Sequence, residues 1–181
     1  MIPAVARTLA NILAKGTSLS STEHIDLNPP GPRVTGRSGL TLYCYDVCKS
    51  SQVHAESLVP SIEKTQLTNE QYLLQWFDVS FLVSAWDYTV LGEQQLLSEA
   101  LTSLVGHPSL PEEMLAPELR GHGDLPLVIS LQPAINPVML WTSLGVPLRP
   151  ALYVTVSIPV FSERKPIAFE EISPSVTCSN A

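Results

Sequence analysis

A chain of 181 residues, 45% hydrophobic and 15% charged, has enough apolar material for one domain with a real core and too much to be disordered in bulk. Its formal charge is −7, and residues 69–124 hold nine acids against one base. A nucleic-acid binder needs a basic footprint to displace counterions, so direct nucleic-acid binding is excluded as a first reading.

Taken in chain order, the first element is a helix. Ile2, Val5, Leu9, Ile12 and Leu13 recur at helical spacing, and Gly16 supplies a stop. No apolar run is long enough for a membrane span or a secretory leader. Three cysteines, Cys44, Cys48 and Cys178, without a secretory signal point to reduced thiols in the cytoplasm. A short strand over 23–27 leads into a loop rich in Pro and Gly over 28–39.

Residues 40–47 read as a strand covered on both faces, with Leu40, Leu42 and Cys44 alternating with Tyr43, Tyr45 and Val47. Residues 48–69 lack a period and read as a long mobile loop with room for a short strand, a feature that is often functional. The densest core-forming stretch follows. Phe77, Val79, Phe81, Val83 and Ala85 share one strand face, opposite Trp76, Asp78, Ser80, Leu82, Ser84 and Trp86. The period then turns helical through Val90, Leu97, Leu101 and Leu104, flanked by Leu96 and Ala100.

Residues 108–124 read as a loop with at most one helical turn, and 125–131 as a strand. Asn136 and Pro137 open a short helix that Gly145 ends. The cleanest strand spans 149–161, with Leu152, Val154, Val156, Ile158 and Val160 on one face and Pro159 marking a sheet edge or the end of pairing. Residues 162–172 are a candidate return strand. The expected architecture is α+β, a mixed or antiparallel sheet of about four to six strands with two main helices packed on it. The expected division is a domain over 1–162 and a partly disordered extension over 163–181.

Catalytic patterns are scarce. The chain has no nucleophile elbow, zinc-protease helix motif or phosphate-binding glycine loop. Cys44, Cys48 and His54 lack a completing partner at a metal-site spacing, and ordinary reduced cysteines are the better reading. The loop from His107 to His122, with Glu112, Glu113 and Glu118, is the one place to draw a metal-dependent site, on thin support. Asp78 and Asp87 point to opposite strand faces and do not form an acid–base pair. The tryptophans fit cores or subunit interfaces better than ligand platforms.

Five ordered blocks resemble a known family. They are the amphipathic start Ile2 to Leu13; Leu42-Tyr43-Cys44-Tyr45-Asp46-Val47; Phe77 through Trp86; Leu91-Gly92-Glu93-Gln94-Gln95-Leu96-Leu97 with His107-Pro108 beyond; and Leu140-Trp141-Thr142-Ser143-Leu144-Gly145 followed by Leu148 through Val156. Together they are similar to the tail-terminator or cap proteins of extracellular contractile injection systems, which are phage-tail-like particles. The blocks cover most of residues 1–162. The stretch from Cys48 to Asn69 does not align, and Glu70-Gln71-Tyr72 replaces the Pro-Pro-Leu often found before the long strand.

The resemblance implies a non-enzymatic structural cap: a homo-oligomeric, hexameric ring at the distal end of the inner tube and sheath, ending polymerisation and holding the last sheath layer. It implies no cofactor, no metal and no direct membrane insertion, and it places the chain in the cytoplasm as part of an assembled particle, whether released or membrane-associated. Ring formation on a six-fold tube requires a heterologous interface, and mobile loops or sheet edges suit strand addition. The candidate contact residues are Trp76, Trp86, Asp87, Trp141 and Arg149, with Arg149 expected to pair with an acid on a neighbour. Two rival readings are an adaptor that binds a basic partner through the acidic middle segment and a metal-dependent enzyme using the His107–His122 loop.

Overall fold

The computed structural model describes residues 1–31, 38–50, 58–59, 72–121, 123–130 and 135–163. The first helix, α1 (Ile2–Gly16), buries Val5, Leu9, Ile12 and Leu13 together with Ala4, Ala6, Ala10 and Ala14. The small side chains allow a second helix to approach closely. Gly16 serves that approach more than it serves as a stop, because a Cβ there would run into Ser103 of the neighbouring helix. Lys15 lies in the last turn, where a positive charge meets the helix dipole favourably.

The strands are β1 (Ile25–Asp26), β2 (Gly39–Lys49), β3 (Leu58–Val59), β4 (Tyr72–Trp86), β5 (Ser109–Leu110), β6 (Leu125–Ser130) and β7 (Ala151–Glu163). Their order is β1-β2-β4-β7-β6-β5, with β3 also paired to β4. Only β1 on β2 is parallel among the described pairs, so the sheet is mixed. The β4–β7 ladder runs from Tyr72↔Glu163 to Ser84↔Ala151 and forms the spine of the fold. The register of β6 with β7 covers Tyr153 to Val156 only, so Pro159 breaks no ladder bond to β6.

Two helices cover one face of the sheet. α2 (Val90–Val105) lies beside α1 over the even-numbered side of β2 and the odd-numbered side of β4. Thr89 caps α2, accepting the Gly92 N–H at 3.0 Å. Its buried residues are Leu96, Ala100 and Leu104, while Val90 and Leu101 are exposed. The sequence pattern places all of these on one stripe. The 100° step of a helix instead sets Val90 and Leu101 to the side of the Leu96–Ala100–Leu104 row.

The third helix, α3 (Pro137–Ser143), covers the opposite face. Asn136 caps it through Val138 N at 2.9 Å and Met139 N at 3.4 Å, and Gly145 at φ 69° follows its end. Leu140 and Trp141 join Leu82 in a small second cluster, with Tyr45 and Tyr153 packed against it.

Two details depart from the sequence pattern. A β-bulge between Cys44 and Asp46 leaves Tyr45 as the extra residue, and Val47 then pairs with Val79 on the α1–α2 side. Tyr43, Tyr45 and Val47 therefore do not share a face. The stretch after α2 is also more than a surface loop. It forms β5 and two short 3-10 turns, Glu112–Met114 and Pro117–Leu119, and buries Leu110, Leu115 and Leu119 in the main core. Buried Thr8 of α1 holds it in place, accepting the Ala116 N–H at 3.2 Å while donating to the Ala4 carbonyl at 3.0 Å. β7 runs on through Ser162 and Glu163, where a return strand is expected to begin; the rest of that candidate strand and of the 163–181 extension lies outside the described residues, as does most of the 48–69 loop.

Candidate assembly surfaces

The candidate contact residues separate into two ends of β4 and one buried anchor. Trp76 is half-buried, sits opposite Pro159 and packs against the main core. Ten residues on, roughly 33 Å along the strand, Trp86 closes β4 opposite Gly39. A Cβ on Gly39 would collide with the Trp86 ring and with the His24 carbonyl, so glycine makes room for the indole.

Asp87 follows at once. Its carboxylate accepts from the Ser38 hydroxyl, from Thr89 N at 3.4 Å and from Thr89 Oγ1 at 3.3 Å. The Ser38 hydrogen bond is the main reason its carboxyl is held below the usual carboxylate range. With Ser18, Leu19, Gly92, Gln95 and Leu96 it lines a cleft over the first turns of α2.

Arg149 is exposed and reaches Glu93 of α2 at 3.2 Å within its own chain. That bridge ties the approach to β7 to the first turn of α2. Trp86, Asp87 and Arg149 thus gather at one end of the sheet, beside exposed Tyr88, Val90, Leu91 and Leu148. Trp141 is different. It is 1% exposed, and its indole N–H donates to Tyr153 Oη at 3.3 Å. Tyr153 stands edge-on to Tyr45, 6.3 Å between centroids. Trp141 anchors α3 to the sheet.

The sites drawn for chemistry take ordinary structural roles where they are described. His107 is half-buried and its Nδ1 lies 2.8 Å from the Ser103 carbonyl, so the ring closes the end of α2. The Glu112 carboxylate accepts the Gly121 N–H at 2.5 Å, and Asp124 accepts the Glu112 N–H at 3.1 Å. His122 and His54 lie outside the described residues. Among the described residues no three His, Cys, Asp or Glu side chains gather as a metal set.

Cys44 and Cys48 are free thiols. Burial is the main cause that pushes both thiols up, away from the reactive thiolate; the Asp46 charge adds to it at Cys48, while the Asp46 backbone carbonyl opposes it at Cys44. Asp78 accepts from Ser157 Oγ at 2.6 Å, and Ser80 meets Thr155 at 3.2 Å, so the α3 side of the sheet is laced by cross-strand hydrogen bonds. No described helix is long and apolar enough to cross a membrane.

Sequence reasoning missed the Arg149–Glu93 bridge and the outward character of part of α2. The first had no local signal, since the partners are far apart in the chain. The second lies in the positions of Val90, Leu91, Leu101 and Val105 around the helix, which apolar spacing alone merges into one stripe.

Comparison with solved structures gives two informative matches. The sheath/tube terminator in the extended state of the extracellular contractile injection system PVC is 17% identical, with a TM-score of 0.64 over 100% of this chain and 65% of that one. The tube-terminating cap of the anti-feeding prophage is also 17% identical, with a TM-score of 0.54 over 98% of this chain and 60% of that one. The chain therefore spans somewhat less than two thirds of the proteins whose fold it shares. No significant match is found among curated proteins. The family model described as the Pvc16 N-terminal domain matches residues 4–173, and the chain belongs to that family.

Proposed function

We propose that this chain is a terminating cap of a contractile injection particle, acting as a structural part without catalysis. The supporting observation is family membership over residues 4–173, joined to a fold shared along the whole chain with a sheath/tube terminator. In this reading copies of the chain form a hexameric ring on the distal end of the inner tube and sheath, assembled in the cytoplasm. The ring stops growth of both and holds the last sheath layer. The residues gathered at one end of the sheet, Trp86, Asp87 and Arg149, take part in subunit or tube contact, and Trp76 serves the other end of β4. Residues 163–181 act as an extension of the 1–162 domain. Among the described residues no observation supports the adaptor or the metal-dependent enzyme.

The test is deletion of the coding sequence in a particle-producing cell, with particle lengths measured by negative-stain microscopy. The expected result is tubes and sheaths of uncontrolled length or sheaths that fall away, restored by the intact chain. Particles of normal length with firmly held sheaths would overturn the reading.

A further inference from the structure

The apolar residues of α2 divide between two faces. Leu96, Ala100 and Leu104 point into the core. Val90, Leu91, Leu101 and Val105 point outward, Leu91 being 77% and Val105 64% exposed, with Gln94 and Ser98 between them. No exposed residue of α2 is charged. Its two carboxylates are held at the flanks, Glu93 by Arg149 and Glu99 by the Ser18 N–H.

On the other side of the sheet α3 has the same character. Leu140 and Trp141 turn inward, while Val138 and Met139 are 59% and 68% exposed beside exposed Thr142 and Ser143. Residues 125–148 contain no charged side chain at all. Charge is not scarce elsewhere: α1 exposes Arg7 and Lys15, and the turn after β5 carries Glu112 and Glu113. Helix faces that meet only water normally carry charge, whereas the centres of protein contacts are depleted of it.

We propose that in the assembled ring the outward face of α2 in one copy packs on the outward face of α3 in the next. The pairing rests on the ring reading above and names the surfaces that build it. Each face lacks charge, so pressing one on the other strands no ion away from water, as a charged partner surface would. The two faces lie on opposite sides of one sheet and differ from each other. Every copy therefore makes the contact twice, once with each face, and the series can close. An α2-on-α2 contact would stop at a dimer. The α2 face runs about 24 Å, long enough to receive the whole of the seven-residue α3, about 10 Å.

The experiment compares the full chain with Leu101→Glu, Met139→Lys and the double variant. Light scattering gives the assembly state, and thermal melting checks the fold. Both sites are exposed in the single copy, so melting should stay at the wild-type value. Each single variant is expected to raise the concentration needed for ring formation by about tenfold or more. In the double variant a Glu meets a Lys across every contact, and ring formation should recover. A ring that survives either single variant overturns the pairing, and so does loss in both singles without recovery in the double. A wild-type chain that forms no ring and is absent from particle ends overturns the cap reading, and the pairing with it.

Discussion

The two sides of the sheet solve burial in different ways. The α1–α2 side is a continuous aliphatic core in which Phe81, Leu9, Leu13, Val154 and Val156 exclude water completely or nearly so. Among the described residues the buried apolar centre of the α3 side is Leu82, Leu140 and Trp141, with partly buried residues such as Tyr45 and Tyr153 packed on it. Around it the strands show Ser80, Thr155, Ser157 and Asp78, joined in pairs by hydrogen bonds. One side is therefore held by burial and the other by a single aromatic anchor and short polar links. Burial contributes in proportion to apolar area, while each net hydrogen bond adds only about 0.5–1.5 kcal/mol. The α1–α2 side carries most of the stability, and the α3 side can present a face to partners without risking the fold.

Mutation of the two anchors breaks or sharpens that contrast. Phe81→Ala removes a fully buried ring from the main core and should cost about 3–5 kcal/mol, read as a lower urea midpoint. Trp141→Phe keeps an aromatic ring in the second cluster but loses the indole bond to Tyr153. It should cost about 1–2 kcal/mol from the lost bond and the smaller ring. If the Trp141→Phe loss equalled that of Phe81→Ala, the two sides would be one cooperative core and the contrast would fail.

Much of this division is legible in the sequence. Period two in Val79, Phe81, Val83 and in Leu152, Val154, Val156 names the core face of the two longest strands, because alternation is geometric and local. Asn136, Pro137 and Gly145 bracket α3 for the same reason. The resemblance to cap proteins was legible too, carried by the order of the blocks. What escaped depended on contacts between distant residues. Tyr45 gives no sign that it is the bulged residue, since a bulge is decided by pairing with β4. Leu110, Leu115 and Leu119 are too irregularly spaced among prolines to announce a core, and only docking on Thr8 and α1 buries them. The bridge from Arg149 to Glu93 joins residues that the sequence assigns to separate elements.

The smallest expected effect separates the sides by acid. α3 carries no titratable side chain, whereas the α1–α2 junction is closed by the Glu99 carboxylate, which accepts Ser18 N at 2.8 Å and Gln95 Nε2 at 3.1 Å. The Ser18 backbone bond, then that of Gln95, lowers its carboxyl from the ordinary value. A carboxyl whose folded value is depressed adds stability that is present above its unfolded value, near 4.3, and is lost as pH falls through the folded value. The group is only partly covered and still screened by solvent, so its contribution is about a few tenths of a kcal/mol. Between pH 6 and pH 3 the wild type should therefore lose slightly more stability than Glu99→Gln, whose amide does not titrate, in paired urea titrations. Equal losses would mean that the Ser18–Glu99 link closes the helix junction in geometry alone, and the acid response of the α1–α2 side would then have to come from its other carboxylates.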